Sequence, residues 1–194
     1  MERGKGGRRA ILGSRHDRPV PVGITIKAMI ERQARNPSTV TYNLEITVLE
    51  VQRGKDVCGR ITKSDVTGED PKSGFEYLMA RMELKYYPKA RGLSEYEPYL
   101  VDKNQFSAVS RDGKTAYALP GVTKQPDPPL IGSSIAINES RKGWIVLQVP
   151  LGEEEPLLSF DRDYTESRLT LRTARGLIWF KLYHEEANED RKNR

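Results

Sequence analysis

Gly143-Trp-Ile-Val-Leu-Gln-Val149, Pro156-Leu-Leu-Ser-Phe160 and Gly176-Leu-Ile-Trp-Phe-Lys-Leu182 decide the fold. Each burst is too short for a useful helix, is rich in β-branched and aromatic residues, and is bounded by glycine, proline or acidic clusters. They read as the closing strands of an all-β antiparallel sandwich. Upstream, residues 75–87 alternate, with Leu78, Ala80, Met82, Leu84 and Tyr86 as the inner set and Arg81, Glu83 and Lys85 on the wet side. That run is long and free of proline until Pro88, which predicts a central strand. Residues 40–51 alternate likewise, Tyr42, Leu44, Ile46 and Val48 against Asn43, Glu45 and Thr47. Leu49 breaks the phase and Val51 resumes it on the opposite parity, so a bulge is expected near Leu49.

Ile24, Ile26, Ala28 and Ile30 alternate at period two, while Ile26, Met29, Ile30 and Ala34 also fit a helical stripe. The β-branched content and the preceding proline and glycine favour a strand. Asp112-Gly113 between two short runs, 105–110 and 115–119, signals a hairpin. Residues 120–132 carry Pro126, Pro128 and Pro129 and read as a surface crossing from one sheet to the other, because prolines leave ladder bonds unmade. In all, about eight strands are expected.

The chain has 194 residues and a formal charge of +5, enough for one domain with tails. A folded part of roughly 150 residues buries about two-thirds of its unfolded surface. Arg3, Lys5, Arg8, Arg9, Arg15 and Arg18, against Glu2 and Asp17, concentrate the basicity in the first twenty residues. The division expected is therefore a flexible basic arm at 1–18, a β-sandwich domain at 19–183 and a charged, solvated tail at 184–194. A Gly-rich arm is not a basic groove, which disfavours nucleic acid as the partner. Cys58 is the single cysteine, which excludes an intrachain disulfide and a multi-cysteine metal site. No stretch approaches the length of a membrane span, and the first thirty residues lack the apolar block of a secretory signal.

Chemistry-bearing residues are sparse. Nucleophilic catalysis needs a base, and the two histidines, His16 in the arm and His184 beyond the last strand, read as solvated. The same scarcity disfavours zinc, which wants three or four His or Cys ligands. Asp161, Asp163 and Glu166 resemble the opening of a calcium loop, but Glu166 stands where the sharp turn wants glycine, so they read as acidic turn residues. Glu153, Glu154 and Glu155 read as a charged hairpin tip. Trp144 and Trp179 sit in apolar strands and read as core. No catalytic residue, metal or cofactor is therefore assigned. The binding candidates are aromatic: Tyr86, Tyr87, Tyr96 and Tyr99 cluster around Pro88 and Pro98 in a turn-rich stretch, where such rings can anchor a partner.

Ser14-Arg-His-Asp-Arg-Pro-Val-Pro-Val-Gly23, Tyr42-Asn-Leu-Glu-Ile-Thr-Val-Leu-Glu-Val51 with Arg53-Gly54, and Gly74-Phe-Glu-Tyr-Leu-Met-Ala-Arg-Met82 form successive blocks. With the closing blocks 143–149, 156–160 and 178–182, their order and spacing resemble the telokin-like, immunoglobulin-fold domain of bacterial secreted proteins and lipoproteins. The likeness runs from Ser14 to Leu182. It implies an immunoglobulin-like β-sandwich, an extracytoplasmic setting after a signal or lipid-anchored linker, and no established catalytic residues. The expected function is that of a non-enzymatic exported interaction or accessory domain of the cell envelope, with another protein or envelope component as partner. The alternative is attachment to nucleic acid or an anionic surface through the basic arm.

Overall fold

Among the residues the structure describes, the strands are β1 (Thr25–Gln33), β2 (Thr39–Arg53), β3 (Phe75–Pro88), β4 (Tyr99–Leu100), β5 (Phe106–Val109), β6 (Ser134–Ile135), β7 (Glu139–Pro150), β8 (Leu157–Asp161) and β9 (Leu177–Lys181). The structure, a computed structural model, describes residues 11–33, 39–54, 57, 70–89, 97–120, 126–162, 164 and 176–184. Among these no helix is long and apolar enough to cross a membrane. The strands form a four-stranded sheet in the order β1-β2-β3-β7, a three-stranded sheet β5-β8-β9 and the small pair β4-β6. All named pairings are antiparallel.

The period-two patterns become faces as expected. Tyr42, Leu44, Ile46 and Val48 of β2 and Leu78, Ala80, Met82, Leu84 and Tyr86 of β3 are buried in one cluster with Phe106, Leu158, Phe160, Ile178 and Phe180 from the other sheet. The β2–β3 register shifts between Val48 and Glu50, leaving Leu49 as the extra residue of a bulge. β3 is central, flanked by β2 and β7. The first ambiguous segment is a strand, with Ala28 and Ile30 buried and Met29 exposed.

Four expectations change. Trp144 is buried, but in a second cluster with Val57, Tyr77, Met79 and Val146 on the outer face of the four-stranded sheet, because its strand is apolar on both faces there. Residues 151–156 join β7 to β8 in different sheets, so Glu153–Glu155 form an inter-sheet turn and not a hairpin tip. The proline segment also pairs. Pro129 bridges Trp144 in parallel, the Trp144 N–H donates to the Pro128 carbonyl, and the Leu130 N–H donates to the Trp144 carbonyl. Proline lacks a donor but keeps its acceptor, which suffices along the outer edge of a sheet. Finally, residues 11–18 are a folded turn and not a flexible arm: the Gly13 N–H donates to Arg18 O, Trp179 N–H donates to Gly13 O, and Val20 bridges Phe180. Residues 1–10 lie outside the described residues.

Gly143 lets the proline segment approach β7. A Cβ there would lie 2.6 Å from Leu130 N and 2.7 Å from Pro129 C, both backbone atoms that cannot swing aside. Gly143→Ala should therefore destabilise the fold by about 1–3 kcal/mol, the usual range for overpacking. Urea denaturation measures this directly, and an unchanged midpoint would mean that 129–130 does not rest on β7.

Candidate functional site

The tyrosines named from the sequence separate onto two faces. Tyr86 and Tyr99 are each 1 % exposed, which removes both as surface anchors. Tyr86 stacks on Tyr42 at 4.9 Å between ring centroids and tilts against Tyr99 at 5.5 Å, so these rings are core. The physical reason lies in β3 parity, which turns Tyr86 inward with Leu84, and in Gln105, whose buried amide donates to the Tyr99 hydroxyl at 2.8 Å. Tyr87 points the other way and is half-buried on the outer face. Its ring carries Lys27 at 4.9 Å and Lys85 at 5.8 Å, and its hydroxyl donates to Glu45 at 2.5 Å. That hydroxyl beside the ammonium holds Lys27 above its ordinary value. Tyr96 lies outside the described residues, as do Asp163 and Glu166.

A cleft of about 700 Å³ opens on the outer face of the three-stranded sheet. Its floor follows from register: Val109 pairs with Leu157 and Leu157 with Lys181, which puts Leu157 and Lys181 side by side across the sheet. One wall is the folded turn, with His16, Asp17 and Pro19; another is the tight turn after β5, with Ser110, Arg111, Asp112 and Thr115. Glu153 closes the end toward the inter-sheet turn. His16, read as solvated from the sequence, packs edge-on against Trp179 at 5.9 Å, and Trp179 is half-buried beneath it. Gly113 is required at this contact, because a Cβ would fall 2.6 Å from the His16 ring.

Hydrogen bonds fix the walls. Ser110 Oγ donates to Asp112 Oδ1 at 2.7 Å and accepts from Thr115 N–H at 3.0 Å, while Lys114 N–H donates to the same Asp112 oxygen at 3.1 Å. The Ser110 hydroxyl, with the Lys114 amide, holds the Asp112 carboxyl below its ordinary value. Arg111 pairs with Glu155 at 2.8 Å and Arg15 with Asp17 at 2.7 Å. Behind the cleft, Tyr117 donates to Glu153 Oε2 at 2.8 Å. Burial first, then the Glu153 carboxylate, pushes the Tyr117 hydroxyl up to about 12.

The site therefore offers carboxylates, cations and hydroxyls around a small floor of Leu157 and Lys181. The sequence signal for one wall, Asp112-Gly113, was legible. Its meeting with His16 was not, because that contact depends on the Val20–Phe180 bridge across the whole chain.

No family model and no curated protein matches the chain. Among solved structures it is similar to the yjhA protein from Bacillus subtilis, at 14% sequence identity, with 84% of this chain and 98% of that chain covered and a TM-score of 0.48.

The Tyr117–Glu153 contact gives a pH signature. The folded hydroxyl keeps its proton up to about 12, whereas an unperturbed tyrosine releases it near 10.0. Its contribution to stability is complete below the lower value and is lost as pH rises through the upper one. Phenolate absorbance should show Tyr117 titrating late, and Glu153→Gln should move that step toward the ordinary value. A step that Glu153→Gln leaves in place would refute the coupling.

Proposed function

We propose that this chain is a non-enzymatic, immunoglobulin-like interaction domain that holds a polar partner segment in the cleft on β8 and β9. The observation that carries the reading is convergence: turns at 13–19, 110–115 and 151–155, remote in sequence, meet around one recess and are fixed there by their own hydrogen bonds. Preorganised walls reduce the ordering that a partner's binding would otherwise require. The lining combines Asp17, Asp112 and Glu153 with Arg111 and Lys181, so the occupant that fits presents groups of both signs, as a polar loop of another protein does.

The immunoglobulin-like reading draws support from connectivity. β3 pairs with β7 in one sheet and β5 with β8 in the other, and the chain changes sheets from β3 to β5 and from β7 to β8. That crossing corresponds to the Greek-key core of an immunoglobulin sandwich, whose B and E strands pair in one sheet and whose C, F and G strands form the second. The telokin-like resemblance and its extracytoplasmic setting belong to the same proposal.

A binding role also accords with the state of Ser110. Its proton is directed to Asp112, a carboxylate held below its ordinary value, whereas a general base needs its pKa raised toward the working pH. The test is to recover binders from an envelope extract with the intact chain and with Asp17→Ala/Lys181→Ala. Loss of two charge-assisted contacts should weaken binding by about tenfold or more, while Lys142→Ala on the opposite sheet should leave it unchanged. A partner retained equally by the double variant would place binding elsewhere.

A further inference from the structure

Among the described residues, three of the four outer edges of the two larger sheets carry an added segment. Pro128–Leu130 lies along β7, Ala116 and Tyr117 along β5, and Val20 along β9. Among the described residues no segment pairs with the outer edge of β1. This strand is nine residues long, contains neither proline nor glycine, and pairs with β2 without a register shift. A long, regular open edge is a template for another strand.

We propose that the occupant is a second copy of this chain, paired antiparallel through Thr25–Gln33 about a twofold axis at Met29. The charge pattern selects both partner and register. On the outer face the cross-strand row Lys85, Glu45, Lys27 alternates in sign from β3 through β2 to β1. Glu31 faces the uncharged Thr41 within its own sheet. A twofold at Met29 sets Lys27 opposite Glu31 of the partner subunit, and Glu31 opposite the partner's Lys27, so the alternation continues across the junction. The 53 % exposed Met29 then meets its own copy, and Ala28 faces Ile30 of the partner subunit, small against large. Moving the axis to Ala28 or Ile30 sets Lys27 or Glu31 opposite methionine and forfeits both ion pairs. The two four-stranded sheets merge into one, with isologous symmetry.

Charge exchange tests the register. Sedimentation of the full chain should show a dimer that dissociates on dilution. Lys27→Glu and Glu31→Lys should each weaken dimerisation by about tenfold or more, because both symmetry-related pairs become like-charged, and the combined K27E/E31K variant should return to within about threefold of the original. Met29→Cys should form a disulfide-linked dimer through position 29, since cross-strand Cα spacings of about 4.5–5.5 Å lie within disulfide reach. The unaltered chain, whose sole cysteine is Cys58, is the control. A chain that stays monomeric at every concentration overturns the proposal. So does a double variant that associates no better than the single ones, or a Met29→Cys chain that does not cross-link.

Discussion

Closure of one apolar layer between two sheets is the constraint from which the rest of this molecule follows. Leu44, Ile46, Leu78, Met82 and Leu84 from one side and Phe106, Leu158, Phe160 and Phe180 from the other are buried to the last percent. Each such side chain contributes about 1.5–3 kcal/mol relative to exposure, far more than the surface ion pairs, of which Arg15–Asp17 and Arg111–Glu155 are largely exposed. The layer sets side-chain parity along every strand. A slip of one residue would carry a whole set of apolar side chains into water, so the bulge at Leu49 is tolerated only because Val51 resumes inward packing beyond it.

Once the layer is set, the backbone at the sheet edges must be satisfied, and this explains segments that carry little apolar content. The turn at 13–20, the segment after the Asp112-Gly113 turn and the proline segment all run along an outer strand and exchange main-chain bonds with it. The pattern is economical in residue type. Proline serves at β7 through its carbonyls, and glycine serves at 143 because nothing larger fits beneath the covering chain. The cleft is a by-product of this edge covering, since two of the three covering segments form walls of it.

What the sequence made legible and what it hid divide along the same line. Strand identity, inner faces, the bulge and the Asp-Gly turn depend on neighbours in sequence, and period two reports them. The pairing of Val20 with Phe180, of Pro129 with Trp144, and the packing of His16 on Trp179 depend on residues far apart, and no local pattern encodes them. Glycine and arginine near the start read as a flexible arm because composition measures only how much a segment can bury by itself. It is silent on main-chain bonds offered by a neighbouring strand. Tyr86 and Tyr99 were misplaced on the surface for a related reason: Tyr86 and Tyr87 are adjacent in sequence yet opposite in facing, and Tyr99 is drawn inward by the Gln105 amide.

That division bears on which surface favours the proposed binding. Tyr87, the one tyrosine of the cluster left on an outer face among the described residues, is engaged by its own sheet: both flanking lysines lie over its ring and Glu45 takes its proton in a hydrogen bond. A partner there would have to displace contacts already made, and the gain from a new cation–π or hydrogen-bond contact is about the size of the loss. The cleft differs in geometry. Its carboxylates and Arg111 are carried on turns held by main-chain and Ser110–Asp112 bonds, and Lys181 stands on β9, and its floor is a recess between covering segments, where a guest removes water without breaking the sheet. Between a surface that satisfies itself and a recess whose walls are built in advance, the second offers the larger net free energy to a polar partner.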